Sequence, residues 1–184
     1  MSNLQFADDI DGLAGSEQEL RSLISRLHQA SVKYGMEISA EKTKTMTNNP
    51  AGISETIEVG GQALGTVNSF KYLGAIVSDA GSKPEVLSRI AQTASAMAKL
   101  KPIWRDKNIS LRSKIKLMRT LVLSIFLYAC ESWTLTSELE RRISALEMRC
   151  YRKILNITYI DHVTNETVRA IVTEAAGPRK TYYQ

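Results

Sequence analysis

The apolar residues change their periodicity near Ser82, and this change constrains the fold more than any other sequence feature. Before it, short alternating segments and a glycine pair indicate strands, with one helical pattern among them. After it, apolar residues recur at helical spacing almost without interruption. The sequence therefore predicts an α+β fold: an antiparallel sheet with a helix, followed by a helical part that begins near residues 79–82.

The first part contains one helix between strands. Ser16 and Glu19 have the spacing of a capping box, and the following pattern predicts a helix from Glu17 to Tyr34 that ends at Gly35. The strand predictions are a turn and strand within residues 35–48, a hairpin at Gly60-Gly61, and, within residues 67–78, either a strand pair or one strand with a bend at Gly74.

Four helices are predicted in the second part. The first begins at Ser82 with Pro84 in its first turn and continues to about Asp106, with a bend or an end at Lys101 before Pro102. The others begin at Ser110, Thr136 and Thr164, and they end near Glu131, after Ile154 and at Gly177-Pro178 respectively. One face of the third predicted helix is apolar and comprises Leu139, Ile143, Leu146, Cys150 and Ile154.

Charge is distributed unevenly along the 184 residues. Residues 1–82 carry 6 basic and 10 acidic side chains, whereas residues 83–153 carry 15 basic and 6 acidic ones, a balance of +9. This asymmetry fits a polyanionic partner for the second part, and it fits solvated helix faces equally well.

The cysteines, the most apolar segment and the histidines indicate which classes of protein and of metal site the sequence does not fit. Cys130 and Cys150 lie in apolar helical patterns and are interpreted as reduced core residues of an intracellular protein, in the nucleus or the cytoplasm. The most apolar run, residues 120–130, is too short to span a bilayer, so no membrane partner is expected. His28 and His162 are isolated, and no Cys/His metal spacing occurs in the sequence.

The opening stretch LQFADDIDG places Asp8 and Asp9 next to each other and Asp11 close by. Adjacent aspartates on a β-hairpin suit Mg²⁺, which takes hard oxygen ligands and usually one or two protein carboxylates. Alone, such a pair is more often a turn or surface feature, and a turn role is the better interpretation for Asp11.

Further motifs follow the aspartate pair in a fixed order, and together they make its interpretation as a metal site more specific. FADD (residues 6–9), GMEISAEKTKTM (35–46) and FKYLG (70–74) resemble motifs of the reverse transcriptases of non-LTR, LINE-like retrotransposons. LYACESWTL, LEMRCYRKIL and DHVTNETVRAI are similar to segments found downstream in such elements. The resemblance extends from Leu4 to Pro178. It implies a partial polymerase palm (1–80), a thumb-like helical region (81–135) and a truncated helical extension (136–184).

The resemblance also implies roles for individual residues. Asp8 would be a direct metal ligand and Asp9 a supporting or weaker one, with Mg²⁺ (or Mn²⁺) as the cofactor. Lys42 would assist the departing pyrophosphate, with an exposed turn lysine as the alternative. The segment that would grip the primer comprises Phe70, Lys71, Tyr72, Leu73 and Gly74, and for Phe70, Tyr72 and Leu73 a core role is expected as well.

Basic side chains of the thumb-like region are the candidates for nucleic-acid binding. They are Lys99, Lys101 and Arg105, near one helix end, and Arg112, Lys116 and Arg119, at a spacing that shares one helix face. Arg149, Arg152 and Lys153 form a smaller cluster that could equally face solvent. Trp104, Tyr128 and Trp133 could stack on bases, but core packing or anchoring of helix ends is the better interpretation.

The resemblance makes the chain a fragment of an RNA-directed DNA polymerase. In that family the strand with the first metal-binding aspartate and the fingers precede FADD, whereas three residues precede Leu4 here. We therefore expect an incomplete two-metal site and little activity from the isolated chain, unless a partner chain completes the palm. The implied partners are an RNA template, a DNA primer and a deoxynucleoside triphosphate. The alternatives are a non-enzymatic nucleic-acid-binding or interaction module, and a reading frame without a selected role.

Overall fold

A computed structural model describes the backbone of residues 2–49, 52–53 and 56–177, and the side chains of these ranges from residue 7 onward. The predicted α+β class is confirmed, because small two-stranded sheets precede a set of helices. The chain divides into two compact units, Met1–Lys71 and Tyr72–Gln184. The predicted functional boundaries at residues 80 and 135 stay predictions.

The first unit begins with a hairpin and a helix. Strand β1 (Ser2–Phe6) pairs antiparallel with β2 (Asp9–Leu13), with Phe6 opposite Asp9, so Ala7 and Asp8 form the turn. Helix α1 covers Glu17–Lys33, and the Ser16 hydroxyl accepts the predicted capping hydrogen bond from the Glu19 N–H at 3.2 Å. The Glu19 carboxylate accepts a hydrogen bond from the backbone N–H of Gly15 at 3.0 Å. In a capping box this donor would be the N–H of the N-cap residue, Ser16, so the observed donor lies one residue earlier.

Short strands and a small core complete this unit. Strands β4 (Glu58–Val59) and β5 (Gln62–Ala63) form the predicted hairpin, and Gly60 and Gly61 at its turn have φ angles of 58° and 79°. Strand β3 (Lys44–Thr45) pairs parallel with β6 (Gly65–Thr66). Residues 46–49, which follow β3, do not form a strand. The strand predicted to end near Asn48 is therefore much shorter than expected. The buried core residues are Ala40, Ile57, Val59 and Leu64.

A third hairpin follows, which is the strand-pair alternative predicted for residues 67–78. Strand β7 (Ser69–Tyr72) pairs with β8 (Ala75–Ser78), and the turn residues Leu73 and Gly74 have φ angles of 45° and 86°. Positive φ is accessible to glycine at little energetic cost, which explains the predicted bend at Gly74.

Helices build the second unit around its own core. They are α2 (Lys83–Lys99), α3 (Lys101–Arg105), α4 (Leu111–Leu117), α5 (Leu123–Phe126), α6 (Ser137–Leu155) and α7 (Asn165–Ala176). The hydroxyls of Ser110, Thr136 and Thr164 cap α4, α6 and α7, as predicted. The predicted apolar face of α6 is buried throughout. The largest fully buried core side chains are Phe126, Ile115, Met118, Val86, Val122 and Val168.

Two helix predictions need correction. The helix predicted from Ser110 to Glu131 runs without interruption through α4, a π-helical turn at Met118–Val122 and α5, but it ends at Phe126, and Ala129 beyond it has a left-handed φ of 60°. The Thr120 hydroxyl donates to the carbonyls of Lys116 (3.0 Å) and Leu117 (3.3 Å), where it competes with regular backbone bonding. Helix α7 ends at Ala176 with Gly177 as its C-cap, and Pro178 lies outside the described residues.

Across the described ranges, none of the helices has both the length and the apolar character needed to cross a lipid bilayer.

Candidate nucleic-acid interface

The two adjacent aspartates lie at the turn of the β1–β2 hairpin. Asp8 and Asp9 are both exposed, and Ala7 before them has a left-handed φ of 54°. Asp11 is partly buried, and this desolvation raises the pKa of its carboxyl group. Because Asp8 and Asp9 face solvent, a ligand in solution can reach both residues.

The carboxylates of Asp8 and Asp9 suit Mg²⁺ by chemistry and by accessibility, because they are hard oxygen donors on one turn. Over residues 2–49, 52–53 and 56–177, no group of three or more Asp, Glu, His or Cys side chains is arranged to hold a metal ion. The hairpin can therefore supply part of a metal site. A divalent cation bound there would neutralise phosphate charge.

Lys42 lies in the same unit as the aspartates but outside regular structure. Its side chain is exposed, and its backbone N–H donates to the Ser39 hydroxyl at 3.4 Å. Within the described residues no hydrogen bond or ion pair connects the Lys42 ammonium with Asp8 or Asp9. The catalytic role implied for Lys42 stays a prediction.

The turn of the β7–β8 hairpin is anchored by a buried ion pair on α2. Arg89 Nε donates to Glu85 Oε1 at 2.5 Å, and both side chains are buried. Arg89 Nη2 donates to the Gly74 carbonyl at 2.8 Å, and Glu85 Oε2 accepts from the Ile76 N–H at 2.7 Å. Each member of the pair therefore also satisfies a backbone group of the hairpin.

Tyr128 completes this anchor. Its hydroxyl donates a hydrogen bond to the Leu73 carbonyl, and the Arg89 guanidinium lies 4.5 Å from the centre of its ring. The favoured interpretation of Tyr128 as an anchor agrees with these contacts, although its side chain is partly exposed.

The proposed primer-gripping residues are not equally buried. Phe70 and Tyr72 are half-buried, whereas Lys71 is exposed and Leu73 is 40% exposed at the turn. The core role expected for Leu73 is therefore wrong, because the positive φ of a tight turn places this residue at the tip of the hairpin. Contact of this segment with a primer stays a prediction.

Many basic side chains of the second unit have no protein partner. Three that do have one are Lys83 and Arg142, which pair with Glu138, and Arg89, which pairs with Glu85. Within the described part of the chain, these cations form neither an ion pair nor a side-chain hydrogen bond: Lys99, Lys101, Arg105, Lys107, Arg112, Lys114, Lys116, Arg149 and Lys153. All of them except Lys114 are exposed.

Arg119 differs from the two residues predicted to share its face. Its guanidinium donates to the carbonyls of Ala176 (3.3 Å) and Gly177 (3.2 Å), at the C-terminal end of α7. Arg112 and Lys116 are exposed, whereas Arg119 is half-buried. Arg119 therefore satisfies carbonyl groups at the C-terminal end of α7. The helical spacing of Arg112, Lys116 and Arg119 did not indicate this role.

A basic cleft brings together residues that are distant in sequence. Its volume is about 540 Å³, and it lies among α3, the loop after it, α4 and the C-terminal end of α6. We call it the basic cleft, and its lining residues are Lys101, Trp104, Arg105, Lys107, Lys114, Arg152, Lys153, Ile154, Asn156, Ile157 and Thr158. Of the predicted nucleic-acid contacts, Lys101 and Arg105 belong to it, while Lys99, Arg112, Lys116 and Arg119 do not.

Helical spacing did not indicate Lys114 as a binding residue, and it separated Arg152 and Lys153 from the cations of α3. Lys114 is 8% exposed, and Trp104 is buried with its indole N–H donating to the Met97 carbonyl at 2.9 Å. Trp104 is therefore a core residue, as the favoured interpretation held. One sequence feature could have indicated its burial: Lys114 directly precedes the apolar Ile115, and these two are the buried residues of α4.

Comparison with known proteins finds similarity to an uncharacterized transposon-derived protein of Caenorhabditis elegans, with 25% identity over 162 residues. The match covers 86% of this chain, and the chain spans 58% of the length of that relative. The similarity indicates an origin in a transposable element. No family model and no solved structure matches the chain.

Proposed function

We propose that this chain is a segment of a retrotransposon reverse transcriptase, comprising the second half of the palm and the thumb, and that its helical unit binds the nucleic-acid backbone. The transposon-derived relative supports the origin. The ordered FADD, GMEISAEKTKTM and FKYLG motifs support the polymerase assignment.

The observation that carries the binding proposal is the unpaired positive charge of the second unit. Exposed cations such as Arg112 and Lys116 have no anionic partner among the described residues. Phosphates can provide that partner, and the release of counterions from nucleic acid makes such binding favourable and independent of base sequence. Solvated surface charge is the competing explanation, and it predicts no measurable affinity at moderate salt.

Catalysis by the isolated chain is not expected to be efficient. Two-metal phosphoryl transfer requires carboxylates that hold two ions on both sides of the reacting phosphate. The described residues offer Asp8 and Asp9 on one turn and no larger ligand group. We therefore propose that the chain binds nucleic acid while contributing only part of a catalytic site.

The binding test uses the full chain and a labelled oligonucleotide, with anisotropy as the readout. We expect the affinity to fall steeply between roughly 50 and 200 mM salt, as it does for proteins that neutralise several phosphates. The double variant Arg112→Met/Lys116→Met should bind more weakly, and Asp8→Asn should bind like the wild type. Affinity that does not change with salt would contradict the proposal.

Primer extension on an RNA template tests the catalytic part separately. The non-enzymatic binding module is the alternative function, and it shares the binding result but predicts no extension under any metal condition. Strong Mg²⁺-dependent extension by the wild type, lost in Asp8→Ala, would show that the chain already holds a working site and would overturn the proposed low activity.

A further inference from the structure

The basic cleft concentrates positive charge without any acidic lining residue. Six of its lining side chains are cationic, namely Lys101, Arg105, Lys107, Lys114, Arg152 and Lys153, and its other lining residues are neutral. Like charges that converge on one cavity repel each other, and this repulsion is largest where water is partly excluded. Such an arrangement favours an anionic ligand.

Lys114 is the lining cation whose side chain is held most firmly by the surrounding protein. Its side chain is 8% exposed, it lines the cleft, and no carboxylate of the described residues pairs with it. Arg89, the comparably buried cation of this unit, is paired with Glu85 at 2.5 Å. Nζ of Lys114 is not among the buried nitrogen atoms that lack a hydrogen-bond partner, so its aliphatic stem is packed in the protein while its ammonium group opens into the cleft, where an anion can reach it.

Local features of the protein offset only a small part of this charge. Helix α6 ends at the cleft, and the C-terminal end of a helix carries roughly half a negative elementary charge. Arg152 has some of its hydrogen-bonding capacity used, because it donates to the Val163 carbonyl (2.7 Å) and to Asn165 Oδ1 (3.0 Å). Most of the positive charge therefore remains available to a bound anion.

We propose that the basic cleft holds consecutive phosphates of a nucleic-acid strand, with Lys114 at its base and the exposed cations at its rim. This inference rests on the proposed function and assigns its principal contact site. Trp104 is buried against the core and bonded to Met97, so it provides an apolar wall and no platform for stacking. Recognition in the cleft therefore depends on phosphate charge and not on base identity.

The test compares two lysines of one helix by the same substitution. Lys114→Met removes a cation that lines the cleft, and Lys116→Met removes an exposed cation two residues away that does not line it. Lys33→Met on α1 of the first unit is the control for loss of one positive charge. A fluorescein-labelled single-stranded oligonucleotide without a terminal phosphate is the probe, so that only backbone phosphates contribute.

We expect Lys114→Met to weaken binding about tenfold and to lower the salt-dependence slope by about one. Lys116→Met should weaken binding less, and Lys33→Met should leave it unchanged. Lys114→Met should unfold at about the same temperature as the wild type, because methionine retains the apolar packing of the lysine stem and no carboxylate loses a partner. The exposed double variant Lys101→Met/Lys153→Met tests the same cleft without altering a buried position, and it should also bind more weakly.

The possible results separate the two proposals. If the wild type shows no salt-dependent binding, the proposed function itself fails. If the wild type binds but Lys114→Met and Lys101→Met/Lys153→Met bind as tightly as Lys33→Met, the backbone contacts another surface and the inference on the cleft is wrong. If inorganic triphosphate occupies the cleft more tightly than the oligonucleotide does, the ligand is a free polyphosphate, and the inference is again overturned.

Discussion

The carboxylate of Glu85 accepts a 2.5 Å hydrogen bond from Nε of Arg89, one helical turn later on α2, and both side chains are buried. The pair is also bonded to the backbone of the β7–β8 hairpin at Gly74 and Ile76. A buried ion pair needs further polar partners to be stable, and these contacts give each member one additional hydrogen bond. The hairpin of the FKYLG motif is thereby fixed to α2.

Breaking this pair should destabilise the protein strongly. Arg89→Met leaves the Glu85 carboxylate buried without its cation, and we expect the free energy of unfolding to fall by about 3–5 kcal/mol. Lys83→Met removes the exposed pair with Glu138 and should lower it by less than about 1 kcal/mol. Urea denaturation of both variants measures the difference. Equal losses would contradict the anchoring role of Arg89.

Ala129 occupies a conformation that suits glycine better. Its φ of 60° lies in the left-handed region, which a side chain with Cβ enters at a cost of roughly 1–2 kcal/mol. We expect Ala129→Gly to raise the free energy of unfolding by several tenths to about 1 kcal/mol. The matched change Ala145→Gly, at an exposed position within α6, should lower it by about 1 kcal/mol. If Ala129→Gly is as destabilising as Ala145→Gly, the left-handed conformation is incorrect.

Burial of Cys150 should make stability depend on alkaline pH. Desolvation raises the pKa of its thiol to about 11. The unfolded chain loses this proton near pH 9 whereas the folded chain retains it, so the unfolded state binds fewer protons as the pH rises. The free energy of unfolding should therefore fall between about pH 9 and pH 11, by roughly 2–3 kcal/mol from this group.

Urea denaturation at several pH values measures the effect of Cys150, with Cys150→Ala as the control. Burial also raises the pKa of Tyr151, and that contribution is present in both proteins. The fall with pH should be smaller in Cys150→Ala than in the wild type. Identical pH dependence of the two proteins would argue against a protonated, buried thiol.

Arg119 should matter more for stability than for binding. Arg119→Met removes the donors to the carbonyls of Ala176 and Gly177, and we expect a loss of about 1–3 kcal/mol of unfolding free energy. Oligonucleotide affinity should stay within about twofold of the wild type under conditions where the variant is folded, unlike that of Arg112→Met/Lys116→Met. A large loss of affinity with unchanged stability would place Arg119 at the nucleic acid instead.

Local signals in the sequence predicted the elements that depend on local contacts. Ser16, Thr136 and Thr164 cap their helices because each hydroxyl bonds a backbone N–H only three residues away. The Gly60-Gly61 turn was likewise predictable, because its positive φ angles favour glycine.

Features that depend on tertiary contacts were not predictable in this way. The π-helical turn of the second predicted helix coincides with the hydroxyl bonds of Thr120, and its early end precedes the left-handed Ala129; no spacing rule indicates either feature. Helical spacing grouped Arg119 with Lys116, but packing of α7 directs its guanidinium to Ala176 and Gly177. The basic cleft forms where α3 and α4 both contact α6, so Lys114 and Lys153 line the same cleft although they are 39 positions apart in the sequence.

Photochemical crosslinking of the full chain to an unmodified oligonucleotide, followed by mass spectrometry, tests the central claim most directly. We expect crosslinked peptides from residues 99–116 and 149–158, where the exposed unpaired cations and the basic cleft lie, and we expect their yield to fall as salt rises. Crosslinks confined to residues 2–49 of the first unit, with none from either helical segment, would contradict the account.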